Sequence, residues 1–317
     1  MIELSILVLA ASAAVLGFAN PSIVSAQVAP EVVDSYPKQI LKERAARRNA
    51  ELEAAKAAAS TNSGISGPVM TGSSPMGIDM VVIAPGAGKL GSPDFEKKRQ
   101  RYETPQRDTM INYKFEVSKY EITFDQWDQC VRAGGCKGHK PDDKGWGRGQ
   151  RPVINVSYDD AQNFISWLNG KTGQTYRLLS EVEWEYVARA GQDAPFGSGF
   201  DISAKQANFD GKAPYGAGSK GPYLRKTERV GKYEPNAFGV YDMHGNVYEW
   251  VEDCWNADHS GAIGDGSART DGNCKFRVMK GGSWVTHGYQ TRAAARIRYV
   301  TDYRYDDYGI RLARTLN

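Results

Sequence analysis

Neither sign of charge predominates in this chain: 40 Lys and Arg stand against 37 Asp and Glu, a formal net charge of +3. Nucleic-acid recognition calls for a clustered basic surface, and this balance offers none, so nucleic acid is excluded as an expected partner. Cysteine is scarce, with only Cys130, Cys136, Cys254 and Cys274 and no C-x2-C pair. That missing spacing argues against zinc. Histidine is equally scarce: His139, His244, His259 and His287 stand alone, none upstream of residue 139 and none in His-x3-His spacing. Long apolar runs are absent apart from Leu4 to Ala19, which falls short of the ~20 residues that span a bilayer. No internal repeat occurs.

That single run is followed by Pro21 and by Val24-Ser25-Ala26, which places small residues ahead of a cleavage before Gln27. Residues 1–26 are therefore read as a secretory signal peptide, and the mature chain as periplasmic or secreted. The short n-region departs from the pattern, carrying Glu3 and no Lys or Arg. Retention as an anchor is the alternative, and only then would the membrane be a partner. Four cysteines, an even number, suit an oxidising compartment. Pairing Cys130 with Cys136 and Cys254 with Cys274 is the simplest of three possibilities, and four buried thiols are the alternative reading.

What the chain does have is 34 Gly, 17 Tyr and 7 Trp, a composition of many turns joined by aromatic packing. Gln39 to Ala59 favours helix with a thin apolar face, and the Ser/Gly/Pro-rich stretch 60–75 reads as a flexible linker. Residues 27–75 are thus expected to form a helical stalk and linker, and 76–317 one folded domain. Three capping boxes predict helices: Thr123 with Gln126, ended by Gly134; Ser157 with Asp160, ended by Gly170; and Ser180 with Glu183, ended near Gly191. Pro152–Val156 and Tyr176–Leu179 read as strands or extended pieces. The second half reads as turn-rich and irregular. Its arginines, Arg292, Arg296, Arg298, Arg304 and Arg311, either form a ligand-binding face or tie loops to carboxylates and stack on aromatics.

The segment GVYDMHGNVYEW, residues 239–250, packs oxygen donors, glycines and aromatics into a stretch without helical periodicity, and so reads as a folded loop. With FEVSKYEIT (115–123), PVINVSYDDA (152–161), YRLLSEVEWEY (176–186), RVMKGGSW (277–284) and YGIRL (308–312), it makes six ordered motifs. Together they resemble the formylglycine-generating enzyme (FGE)-sulfatase domain, also called sulfatase-modifying factor, over about residues 76 to 317. The resemblance implies a mixed α+β, loop-rich fold, a variant of the C-type lectin-like fold.

The resemblance also implies a structural calcium held by the side chains of Asp242 and Glu249 and the carbonyls of Gly245 and Val247. Such a set supplies the hard oxygens calcium takes; hydrogen bonding to the glycine-rich backbone is the alternative use of the two acids. A second family calcium site would start at Asn208, where no acid stands in the partner position. Catalysis in the family's formylglycine-generating members uses two copper-binding cysteines after Gly-Gly-Ser. Here Thr286 takes the first position and no cysteine lies beyond Cys274, so the copper-cysteine mechanism is not expected. A sulfoxide-synthase branch holds iron through three histidines, two from a helical bundle, and this chain lacks both. In export and in absent cysteines the chain is similar to a branch containing a periplasmic oxidase that matures pyoverdine.

Candidate cleft residues are Ser283, which matches a family active-site serine, Asp307, which stands where the family has Asn, and His287 and Arg292, with Trp284 and Tyr289 beside them. Two functions are expected from these residues. One is an exported, non-copper oxidoreductase-like enzyme with an unidentified redox metal. The other is a calcium-stabilised lectin-like module that binds a peptide, glycan or small molecule in a surface cleft.

Overall fold

A computed structural model describes residues 70–71 and 76–316. The expected signal peptide and stalk lie outside the described residues. Within the expected linker, however, Met70–Thr71 form a short strand, β1, paired antiparallel with β2 (Met80–Ile83). The folded domain therefore includes residues that composition alone assigned to a flexible tether.

Three sheets follow. The first is five-stranded, in the order β1-β2-β5-β11-β6, where β5 is Phe115–Ser118, β6 is Tyr176–Leu178 and β11 is Leu312–Thr315. The second runs β10-β7-β8-β9, from β7 (Tyr248–Trp255), β8 (Asn273–Lys280), β9 (Arg296–Val300) and β10 (Tyr308–Ile310). The third is a hairpin of β3 (Gly86–Leu90) and β4 (Arg107–Ile111). A C-terminal strand in the middle of the first sheet means that the ends of the domain must meet before the sheet closes.

All three capping boxes are present, because their hydrogen bonds are local and need no tertiary partner. They start α1 (Phe124–Arg132), α2 (Tyr158–Thr172) and α3 (Glu181–Arg189). Helix α2 runs past Gly170 and stops instead at Gly173, whose φ of +66° supplies the left-handed C-cap. Gly170 is tolerated because Phe164, Ile165 and Leu168 bury the apolar face of the helix. Pro152–Val156 forms no strand, only a bridge from Pro152 to Thr123.

The second half is more regular than expected, because β7 and β8 run eight residues each. Seven of the eight β7 residues are buried, so the strand shows none of the alternation that marks a half-exposed sheet. The opening motif is correspondingly divided. Residues 239–247 form a loop, whereas Tyr248, Glu249 and Trp250 begin β7 and pair in parallel with Tyr308, Gly309 and Ile310. Both disulfides form as expected, Cys130–Cys136 and Cys254–Cys274.

Candidate functional site

Two groups of residues converge at the C-terminal ends of the 239–247 loop and β8. In the first, Ser283 follows the tight Gly281-Gly282 turn, both glycines having positive φ. Ser283 is fully buried, and its Oγ donates to Oδ2 of Asp307 at 2.6 Å. Oδ1 of Asp307 is buried without a partner. Burial, the largest effect, pushes the Asp307 carboxyl up to about 6 against the pull of the Ser283 hydroxyl.

Next in the chain to Ser283, Trp284 donates its Nε1 to the Asp306 carbonyl, lies edge to face with Trp146 at 5.2 Å and stacks on Tyr223 at 6.3 Å, with Arg225 over the Tyr223 ring. All three rings are half-buried, so they offer an aromatic face to solvent. Thr286, at the first cysteine position, accepts from the Ser283 amide and donates to the Ser283 carbonyl, each at 2.9 Å. Its hydroxyl is spent on the turn. No cysteine is free, so no thiol reaches this position.

The other two cleft candidates go elsewhere. His287 caps the 3-10 turn Gly288–Thr291; its half-exposed ring stands 3.9 Å from the Asp210 carboxylate and beside Tyr289. Arg292 does not face the aromatic surface. It is 0% exposed, forks onto Glu103 at 2.8 and 2.7 Å, and binds Glu96 and the carbonyls of Tyr289 and Lys98. Bound so fully, it has no N–H group left for a ligand. Arg292 and Tyr289 instead line a cavity of about 120 Å³ that neither Trp284 nor His287 reaches.

The rest of the arginine series also ties structure together. Arg296 pairs with Glu181, Arg304 with Asp160 and Arg311 with Glu249, while Arg298 stacks on Trp255 and Phe276. Of the two readings of that series, loop-tying and stacking is the one realised.

The second group is a buried carboxylate cluster. Asp242, in the left-handed region at φ +57°, accepts the Gly231 amide at 2.7 Å. Glu249 accepts Trp184 Nε1 at 2.6 Å on Oε2, and the Arg311 guanidinium on both oxygens at 2.8 to 3.0 Å. Glu121, which the sequence reading passed over although it lies in the FEVSKYEIT motif, accepts Asn246 Nδ2 on Oε2 at 2.7 Å. Its Oε1 is buried with no partner. Burial raises Asp242 to about 6 and Glu121 well above the usual carboxylate range, and neighbouring carboxylates reinforce both shifts. Gly245 has to be glycine: a Cβ there would stand 2.3 Å from the Asn208 carbonyl oxygen, at φ +88°. Val247 is buried in the core.

Among the described residues, no three His, Cys, Asp or Glu side chains converge in metal-binding geometry. The residues fit a hard cation in two other respects, an orphaned buried carboxylate oxygen on Glu121 and three buried carboxyl groups with one arginine, Arg311, against them. Glu249 is more heavily engaged, since Trp184 Nε1 and two N–H groups of Arg311 already donate to it. At the position of the second family site, Asn208 spends its amide nitrogen on Lys226 and Asn246.

The family model described as the sulfatase-modifying factor enzyme 1-like domain matches residues 68–316. The formylglycine-generating enzyme of Mus musculus is 35% identical over 183 residues, covering 55% of this chain and 46% of that enzyme. The inactive C-alpha-formylglycine-generating enzyme 2 of Bos taurus is 30% identical over 171 residues, 51% of this chain and 50% of that protein. The chain thus spans about half the length of these curated relatives. The structure of PvdO from Pseudomonas aeruginosa superposes with a TM-score of 0.70 at 37% identity, covering 79% of this chain and 99% of that one. With the family match running over most of its length and through both residue groups above, this chain belongs to the sulfatase-modifying factor enzyme 1-like domain family.

Proposed function

We propose that this domain is an exported member of the sulfatase-modifying factor superfamily that works without a copper-cysteine centre, as an oxidoreductase-like enzyme on a peptide or polar small molecule. The observation that carries this reading is Asp307. Its carboxyl, raised to about 6, is hydrogen-bonded to Ser283, keeps one buried oxygen unpartnered, and follows Asp306, whose carbonyl accepts Trp284 Nε1. A carboxyl of that kind gives and takes a proton near neutral pH, which general acid–base chemistry needs. The Trp146, Trp284 and Tyr223 rings would hold the apolar part of a ligand next to it. Two disulfides accord with an oxidising compartment. A calcium ion at the Asp242 and Glu249 side chains and the Gly245 and Val247 carbonyls would be structural, offsetting buried negative charge.

A second reading, a calcium-stabilised binding module for a peptide, glycan or envelope partner, is favoured by the full burial of Ser283 and Arg292. Elemental analysis of protein purified without chelators separates the two. Copper or iron at one equivalent per chain, with oxygen uptake that Asp307→Asn abolishes, supports the enzyme. Calcium alone, with no oxygen uptake, supports the binding module.

A further inference from the structure

We infer that the outer edge of β3 takes up an extended, Lys- or Arg-bearing peptide as an added strand, and that an acidic groove over the β3–β4 hairpin selects its charge. The surface shares no residue with Ser283, Asp307 or the Asp242 cluster, so peptide binding here is separate from the function proposed above.

The hydrogen bonds of the hairpin fix which main-chain groups face outward. Strands β3 and β4 pair in regular antiparallel register, with Ala87 opposite Met110 and Lys89 opposite Asp108. The Met110 amide donates away from β3, to the Gly264 carbonyl at 2.8 Å. Ala87 and Met110 are therefore a non-hydrogen-bonded pair, and in antiparallel pairing such pairs recur at every second residue. It follows that the N–H and C=O groups of Ala87 and of Lys89 point away from β4. Among the described residues no strand lies on that side of β3, and Ala87 is exposed. Free main-chain groups along an edge are a template for another strand.

Side chains alternate across the hairpin. At Gly86 and Gly88 a Cβ would stand 2.3 Å from the Tyr186 hydroxyl oxygen and 2.9 Å from the Tyr186 ring, so that face is closed by α3. Ala87, Lys89, Asp108 and Met110 share the opposite face, which floors a groove of about 600 Å³ flanked by Asp193 and Asp265.

Charge names the occupant. A lysine on an edge strand ordinarily keeps other strands away, but Lys89 is bridged to Asp108 on β4, and its charge no longer guards the edge. No other cation lines the groove, which leaves Asp193 and Asp265 in excess. A strand laid on β3 sets alternate side chains over this groove about 7 Å apart, where Lys or Arg meets the two aspartates. A second copy of this chain would bring the same excess of acid to the same edge, and like charges facing each other across strands disfavour that pairing.

Fluorescence anisotropy with a labelled, end-capped peptide of alternating Lys and Thr, about eight residues long, tests this on the full-length protein. Wild type should bind it, with affinity that falls as salt rises, and should bind the same peptide with Glu for Lys at least ~10-fold more weakly. Ala87→Pro deletes one outward N–H while keeping every charge and every hairpin bond, and should weaken binding about 10-fold. The double variant Asp193→Asn, Asp265→Asn should weaken binding and flatten its salt dependence. Should Ala87→Pro not fold, a fully N-methylated Lys-Thr peptide must fail to bind wild type. Undiminished binding by folded Ala87→Pro or by the N-methylated peptide overturns strand addition, and equal binding of the Glu peptide overturns the charge selection. Wild type that binds no peptide at about 1 mM overturns both. A dimer that Ala87→Pro dissolves, seen by sedimentation, overturns the peptide as occupant in favour of a second copy.

Discussion

Asp307 shows how much a single side chain depends on its surroundings. An aspartate in the unfolded chain titrates near ~3.9, whereas burial holds Asp307 at about 6. Between those values the folded state binds the extra proton, so stability falls as pH rises from about 4 to about 6, and the full penalty applies above that. Asp307→Asn keeps an acceptor for Ser283 and removes the charge. It should melt higher than wild type at pH 7, by on the order of 2 kcal/mol, with the difference closing below about pH 4. A variant that melts lower at pH 7 would mean that the carboxylate is ionised and compensated.

The four cleft candidates were only partly legible for a related reason. Ser283 and Asp307 do meet, because β8 and β10 flank β7 in one sheet and the two residues sit in the turns just after β8 and just before β10. Arg292 was misplaced because its partners Glu96 and Glu103 lie almost 200 positions away. Nothing near Arg292 in the chain says that its guanidinium is already taken. Glu121 was missed for the opposite reason, since a lone Glu in a polar motif carries no mark of burial.

At the level of elements, what is local was readable and what is shared was not. The Ser180 box is a case in point. Its Oγ accepts the Glu183 amide at 3.0 Å and donates to the Gly266 carbonyl at 2.7 Å, while Glu183 returns a carboxylate oxygen to the Ser180 amide. Ser180→Ala should lower stability by roughly 1 to 2 kcal/mol, measured by chemical denaturation, because it uncaps α3 and leaves a buried carbonyl unpaired. A loss below a few tenths would show that water takes over both roles. Strand β7 escaped notice because residues buried on both sides lack a period of two, and β8 because only its last three residues are buried, too short an apolar run to tell strand from loop.

For the whole molecule, the disulfides give the clearest test. Cys254–Cys274 closes a loop of separation 20 between β7 and β8, which on loop-entropy grounds contributes about 3 kcal/mol. The double variant Cys254→Ser, Cys274→Ser should unfold at correspondingly lower denaturant, with the Cys130–Cys136 bridge still detectable by mass spectrometry. Equal midpoints for variant and wild type would show that the packing of β7 on β8 already restrains the loop.

The sequence by itself determined the family, the three capped helices and the absence of a cysteine at position 286, because motif order, capping and residue identity are written along the chain. Only the tertiary structure decided which charged groups are spent and which are left over. Arg292 is bound on all its donors, Glu249 is held by Arg311 and Trp184, and Glu121 and Asp307 each keep one buried oxygen unpaired. Satisfaction of a polar group is a property of its neighbours in space, and most of those neighbours lie far off along the chain.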